Sequence, residues 1–299
     1  MPELPDITVY LEALAPRVLN QPLIGLRITS PFLLRSVDPP PAEFIGKRVT
    51  RLDRMGKRIV FEFEGDLYLV LHLMIAGRLK WLAPGAPIPK KLGLAGLDFP
   101  NGTLLLTEAG AKRRASVYLV RGKPGLAVHA RGGLEVLDSS LADFSNALTS
   151  ESHTLKRALT DPRLFSGIGN AYSDEILHRA RLSPVRLTRQ LTEQEIETLH
   201  RATRAVLAEW IDRLRRETGD GFPAKVTAFR EGMAVHGRFG MPCPVCSGPV
   251  QRIRYASNET NYCPTCQTGG RLLADRSLSR LLREDWPRSL EELEELRRR

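Results

Sequence analysis

Residues 58–74 read RIVFEFEGDLYLVLHLM, and this stretch decides the architecture of the first half of the chain. Ile59, Phe61 and Phe63 alternate with Val60, Glu62 and Glu64, the period-two pattern of a strand with a buried face. Glu64, Gly65 and Asp66 supply a turn, and the apolar run that follows reads as a second, more buried strand. LDFPNGTLLLTE (97–108) predicts another hairpin, turned at Asn101-Gly102. Short alternating runs separated by Pro, Gly and Asn extend from about residue 23 to 136. The expectation is a β-sandwich or flattened barrel, with SVDPPPAE (36–43) as a loop. Ahead of it, Ile7, Leu11, Leu14 and Val18 fall at helical spacing, predicting an amphipathic helix from Asp6 to about Asn20. Pro5 suits the first turn of that helix, and Asp6 suits its positive end.

The texture changes after 136. LDSSLADFSNALTSESH (137–153) interrupts the pattern with polar residues and reads as a linker. Helical segments are predicted at 154–161, 170–180 and 192–217, followed by a cysteine-bearing segment at 241–267. The tail, 268–299, reads as one or two short helices or a partly ordered extension. The fold class is α+β and multidomain, with domains at 1–136, 154–240 and 241–267 around the 137–153 linker.

Composition narrows the partners. At 299 residues, with 42% apolar and 26% charged residues, the chain can bury a sizeable core. Its formal charge is +10 and its pI near 9.8, a surplus that favours a polyanion, nucleic acid ahead of an anionic membrane. No run has the length of a membrane span, and no basic segment followed by an apolar stretch opens the chain. The expected location is cytoplasmic. All four cysteines fall between 243 and 266, which argues against a disulfide framework.

Those cysteines form two knuckles, CPVC (243–246) and CPTC (263–266). Each lets two thiolates reach one face of a tight turn. Cys243, Cys246, Cys263 and Cys266 together satisfy tetrahedral Zn²⁺ and leave no position open, so one structural ion is expected. Arg252 and Arg254 lie between the knuckles, on a segment suited to gripping DNA. In SGIGNAYSDEILHRARLSP (166–184), Gly167 and Gly169 bracket Ile168 in a tight turn and Asn170 opens a helix. Backbone N–H groups at such a helix start can hold a phosphate, and Asn170 can add a side-chain donor. An ordinary helix–helix turn has the same glycine pattern. A dinucleotide fingerprint is disfavoured, since no strand precedes the turn and the third glycine is absent.

Taken together, the PELPD start, the GIGNAYSDEIL turn and VHGRFGMPC with the second knuckle resemble the formamidopyrimidine-DNA glycosylase/endonuclease VIII family. The resemblance runs from Pro2 to about Gln267. It implies a catalytic β-sandwich, a helix–two-turns–helix domain and a zinc-finger hairpin, acting on damaged DNA with the lesion flipped out. It further implies base excision by a bifunctional glycosylase and abasic-site lyase, with no small-molecule cofactor. After removal of Met1, Pro2 would carry the nucleophilic secondary amine, and Glu3 would shuttle protons. Lys57 would hold a phosphate beside the lesion. Lys156 matches a lysine directed toward DNA, Asn170 the phosphate-binding asparagine, and Arg113 and Arg114 the paired arginines that enter the gap left by the flipped base. A monomer is the expected state.

Several positions depart from the family pattern. The finger arginine is Asn258, a weaker phosphate partner than a guanidinium, so δ-elimination is expected to be weak unless Arg252 or Arg254 substitutes. The aromatic wedge is Ala115, and the void-filling methionine position is Ile75, beside Met74. These losses leave open an enzyme for oxidised pyrimidines or abasic sites in single-stranded or bubble DNA. They also leave open a non-catalytic damaged-DNA-binding protein.

Overall fold

A computed structural model describes residues 1–110, 112–224, 226–227, 229–255, 258–274 and 287–298. The chain divides into two units, residues 1–132 with 209–228, and residues 133–208 with 229–299.

The first unit opens with α1 (Leu4–Val18). Eight strands follow: β1 (Gly25–Ile28), β2 (Val49–Met55), β3 (Arg58–Phe63), β4 (Leu67–His72), β5 (Gly77–Leu82), β6 (Gly93–Phe99), β7 (Gly102–Glu108) and β8 (Ser116–Arg121). A short α2 (Gly122–Ala127) completes the series. The strands make two antiparallel four-stranded sheets, ordered β2-β3-β4-β8 and β1-β6-β7-β5, the expected sandwich. Ile59, Phe61 and Phe63 do enter the core, facing Leu97, Phe99, Leu104 and Leu106 of the other sheet. Gly65 and Asp66 both adopt positive φ and reverse the chain between β3 and β4.

The second hairpin differs in detail from its prediction. Pro100 and Asn101 make its turn, because Phe99 pairs with Gly102. Gly102 is required for packing instead: a Cβ there would sit 2.4 Å from the Trp81 indole. Helix α1 buries Ile7, Leu14 and Val18 as expected, and also Tyr10, whose hydroxyl accepts from the Leu79 N–H.

The second unit contains α3 (Leu141–Thr149), α4 (Leu155–Thr160), α5 (Asn170–Ala180) and α6 (Glu193–Thr218), the last continuing into residues that count with the first unit. The hairpin β9 (Gln251–Tyr255) and β10 (Asn258–Tyr262), then α7 (Pro264–Thr268) and α8 (Leu290–Arg298), complete it. Three helices sit within a residue or two of their predicted limits. Residues 137–153, read as a linker, hold α3. The Ser140 side chain caps it by accepting from Asp143 N–H, and Phe144 and Leu148 bury its apolar side. Phe144 packs on Phe165, ring centroids 4.9 Å apart. In the 166–184 turn, Gly167 takes the positive φ of 81°. Gly169 is an extended N-cap residue. Part of the predicted tail structure, 275–286, lies outside the described residues.

Candidate functional site

The chain start is tied down by a reciprocal cap. Glu3 is the N-cap of α1: its carboxylate accepts the Asp6 N–H, while Asp6 Oδ2 accepts the Glu3 N–H at 2.8 Å. Pro2 is buried, and Glu3 and Asp6 are 2% and 4% exposed. The Pro-Glu-Leu-Pro-Asp order therefore positions two carboxylates at a fixed helix start. The terminal amine, carried here by Met1, is pushed below its ordinary value near 8 by burial. Glu3 opposes that shift and Arg78 adds to it, with Asp6 and Lys57 acting more weakly in opposite senses. Lys57 sits in the β2–β3 turn after Gly56, within electrostatic reach of the terminus. Nothing in the sequence singles out Arg78. It reads there as one more cation in a strand, and only the fold brings β5 to the terminus.

A second feature of this unit is the loop after β7. Glu108, 1% exposed, accepts the N–H groups of Arg114 and Ala115 at 2.9–3.0 Å. Its buried carboxylate thereby seats the end of the loop, a role with no local sequence signal. Arg113 and Arg114 are exposed, and Arg113 donates to the Lys91 carbonyl at 2.6 Å. Ala115 is 4% exposed, whereas Ile75 is 58% exposed at the turn following β4. That turn is tight, since a Cβ on Gly77 would meet Leu73 O at 2.3 Å.

In the second unit α5 is a polar hub. Asn170 Nδ2 donates to the Glu259 carbonyl of β10 at 2.8 Å. Asp174, one turn later and fully buried, accepts from Lys156 Nζ at 2.5 Å and from Asn261 N–H at 3.1 Å, and pairs with His236 Nδ1 at 2.7 Å. Lys156 also donates to the Asn170 carbonyl. Lys156 is thus held in an internal ion pair that also reaches the Asn170 carbonyl. Glu175 accepts three backbone N–H groups, from Ala234, Val235 and His236 at 2.7–2.9 Å. Burial nonetheless pushes its carboxyl above the usual range, against those three donors. Asp174 is four residues from Asn170 on one helical face, a spacing that could have flagged it.

Along β9, Arg252 and Arg254 share the face opposite buried Ile253. Arg252 lies 4.1 Å from the Phe239 ring centroid and 3.4 Å from Glu259. Arg254 is exposed. Asn258 opens β10 opposite Tyr255, and its side chain lies outside the described residues.

The four cysteine sulfurs lie within 4.8 Å of one another, with Cys246 and Cys263 3.3 Å and Cys243 and Cys266 3.9 Å apart. Burial pushes the Cys266 thiol up to about 11 and Cys263 higher still. Four thiolates at that spacing require a cation, and the all-sulfur donor set fits one structural Zn²⁺. His178 of α5 lies 3.2 Å from Cys243 Sγ through Nε2, an outer-shell contact that ties helix to finger. Replacing it by phenylalanine keeps the ring and removes the donor. His178→Phe is expected to speed zinc release into a colorimetric chelator by about tenfold; an unchanged release rate contradicts that role.

The comparisons agree with this geometry. Residues 1–109 match the formamidopyrimidine-DNA glycosylase N-terminal domain, 133–219 the formamidopyrimidine-DNA glycosylase H2TH domain, and 240–269 the zinc finger found in FPG and IleRS. The formamidopyrimidine-DNA glycosylase of Thermus thermophilus is 37% identical over 286 residues, covering 90% of this chain and 100% of that relative. A formamidopyrimidine-DNA glycosylase-like protein of Mycobacterium tuberculosis is 43% identical over 151 residues, 50% of this chain and 94% of its own. The crystal structure of the MutM (FPG) protein from Thermus thermophilus matches with a TM-score of 0.73 at 35% identity, covering 89% of this chain and 98% of that one. The complex of Lactococcus lactis Fpg with abasic-site DNA matches with a TM-score of 0.78 at 26% identity, covering 89% and 99%. A β-sandwich with a half-buried terminal amine, a helical unit and a four-cysteine finger, together with these matches, place the chain among the zinc-bearing DNA glycosylases. The chain belongs to the formamidopyrimidine-DNA glycosylase family.

Proposed function

We propose that this chain is a bifunctional DNA glycosylase and abasic-site lyase that removes oxidised bases in base excision repair. The observation that carries this reading is the buried terminus, with Glu3 locked in its cap and Lys57 and Arg78 acting on the amine. With Met1 removed, the Pro2 nitrogen takes the place of an amine whose surroundings favour its neutral, nucleophilic form. Its lone pair attacks the sugar C1′. The glycosidic bond breaks, its electron pair leaves with the base, and Glu3 supplies the proton. The Pro2 nitrogen then gives its proton to the Glu3 carboxylate, the C1′–O4′ bond breaks with its electron pair going to O4′, Glu3 returns the proton there, and an iminium ion joins Pro2 to C1′. The iminium acidifies the C2′–H; loss of that proton expels the 3′ phosphate, and water then releases the enzyme. Lys57 holds the phosphate during elimination. Asn170 and the finger bind the backbone, and Arg113 and Arg114 reach the vacated gap. Zn²⁺ on the four thiolates supplies structure alone. A borohydride-trapped adduct with abasic DNA tests the central step.

One observation favours a narrower substrate. Ala115 is buried and its N–H is held by Glu108, so the wedge position itself carries a small, inward-facing residue. A base extruded without a plug costs a few kcal/mol. The enzyme is accordingly expected to cleave a lesion in bubble or single-stranded DNA at least as fast as in duplex. Parallel single-turnover assays on the three substrates check this, and a tenfold duplex preference rejects it.

A further inference from the structure

The outer face of the β2-β3-β4-β8 sheet carries cations that the reaction above does not use. Strand alternation buries Ile59 and Phe61 in the core and turns Arg58 and Val60 outward; along β4 it turns Tyr68, Val70 and His72 outward. Arg58 and His72 are directly paired across the strands. The His129 ring packs on Tyr118 of β8 with centroids 4.5 Å apart, which brings the 129–131 segment to this face. There the Arg131 charge acts on both Arg58 and His129.

Arg58 is half-buried, and its Nε is shielded from solvent with no hydrogen-bond partner among the described residues. Neither Arg58 nor Arg131 has an ion pair among the described residues. Burial and Arg131 together push Arg58 below its ordinary range, and only the Tyr118 phenol opposes them. His72, pushed down to about 4 by burial, Arg58 and Lys57, is neutral near pH 7 and adds no charge. A half-buried guanidinium, with an exposed second one close enough for its charge to act and no carboxylate paired to either among the described residues, is unfavourable unless an anion joins them. A phosphate suits this requirement, because a guanidinium fork donates two parallel N–H groups to it.

We propose that Arg58 and Arg131, with His129 at the rim, bind a backbone phosphate of the DNA strand adjoining the one assigned to Lys57. Continuity selects a strand phosphate over free phosphate. Lys57 precedes Arg58 directly, and its charge acts on both His72 and the terminal amine. The assignment rests on the DNA-repair reading above.

The test is the salt dependence of the Kd for duplex carrying a stable abasic analogue. Removing one phosphate partner from the protein lowers the log–log slope by about 0.9. Exposed Arg131→Gln and half-buried Arg58→Gln are each expected to lower it by about that amount and to weaken binding about five- to tenfold near 0.1 M salt. Unchanged slopes in both folded variants overturn the proposal. Orthophosphate that raises the Tm of wild type but not of Arg131→Gln, with DNA slopes unchanged, overturns it in favour of a free-phosphate site. Borohydride trapping by wild type is scored separately. An adduct with unchanged slopes rejects this site and leaves the lyase reading intact; altered slopes with no adduct do the reverse.

Discussion

Protein whose terminal amine is blocked, by retained methionine or by acetylation, is expected to form no borohydride-stable adduct with abasic DNA. Acetylation removes the nitrogen lone pair, and retained Met1 converts the Pro2 nitrogen into a tertiary amide and places a primary amine one residue away. Neither leaves a secondary amine able to form an iminium ion at C1′. Pro2→Gly is a milder change, since it keeps an amine but makes it primary and unconstrained. Trapping and strand cleavage should fall about 100-fold or more. Glu3→Gln still accepts the Asp6 N–H, so α1 keeps its start, but it cannot deliver a proton. Base excision should fall by about 10² to 10⁴, with cleavage of a pre-formed abasic site less affected. Thermal melting separates these outcomes from unfolding, because loss of a cap alone costs about 1 kcal/mol. Mass spectrometry of the terminus must accompany the assay. An undiminished adduct from fully blocked protein would refute the mechanism.

Removal of zinc is expected to have the second large effect. Structural zinc sites contribute on the order of 10 kcal/mol to folding their own segment, and here that segment is small. Besides the cysteines, Val235 and Val250, the two five-residue strands and the short α7 bury only a few apolar side chains, Ile253, Tyr262 and Pro264 among the described residues. Cys246→Ser, or exhaustive chelation, should release one equivalent of metal and melt β9–β10. The loss extends into α5, whose Asn170, Asp174 and His178 each bond to the finger or its cysteines. DNA affinity should fall about 100-fold, while the melting of the sandwich should change little. Metal-free protein that binds DNA with full affinity would contradict a structural finger.

The elements most legible in the sequence are those in which one period dominates. The alternation in 58–74 marks a strand pair, and the periodicity of 170–180 and 192–217 marks helices. The cysteine spacing marks the finger, because the ligands of a tetrahedral ion are a local constraint. Polarity misleads at 137–153, where a Ser140 cap and two well-placed aromatic and aliphatic residues outweigh five serines and threonines in the 139–150 stretch. The Asn-Gly pair misleads as a turn signal, since Gly102 answers to the Trp81 ring. The Lys156–Asp174 ion pair is invisible in the sequence, because eighteen residues separate its partners. Arg78 and Glu108 act across strands, so no linear pattern marks them. The terminal residues are legible by resemblance, whereas the reciprocal Glu3–Asp6 cap emerges only from the helix geometry.

The Glu108 carboxylate has a consequence for how this protein can diversify. It ties the backbone of Arg114 and Ala115 to the last residue of core strand β7. If Arg113 and Arg114 act at the vacated gap as proposed, side chains between these anchor points are expected to be exchangeable with little effect on the sheet, so that lesion preference and duplex tolerance change while the melting temperature does not.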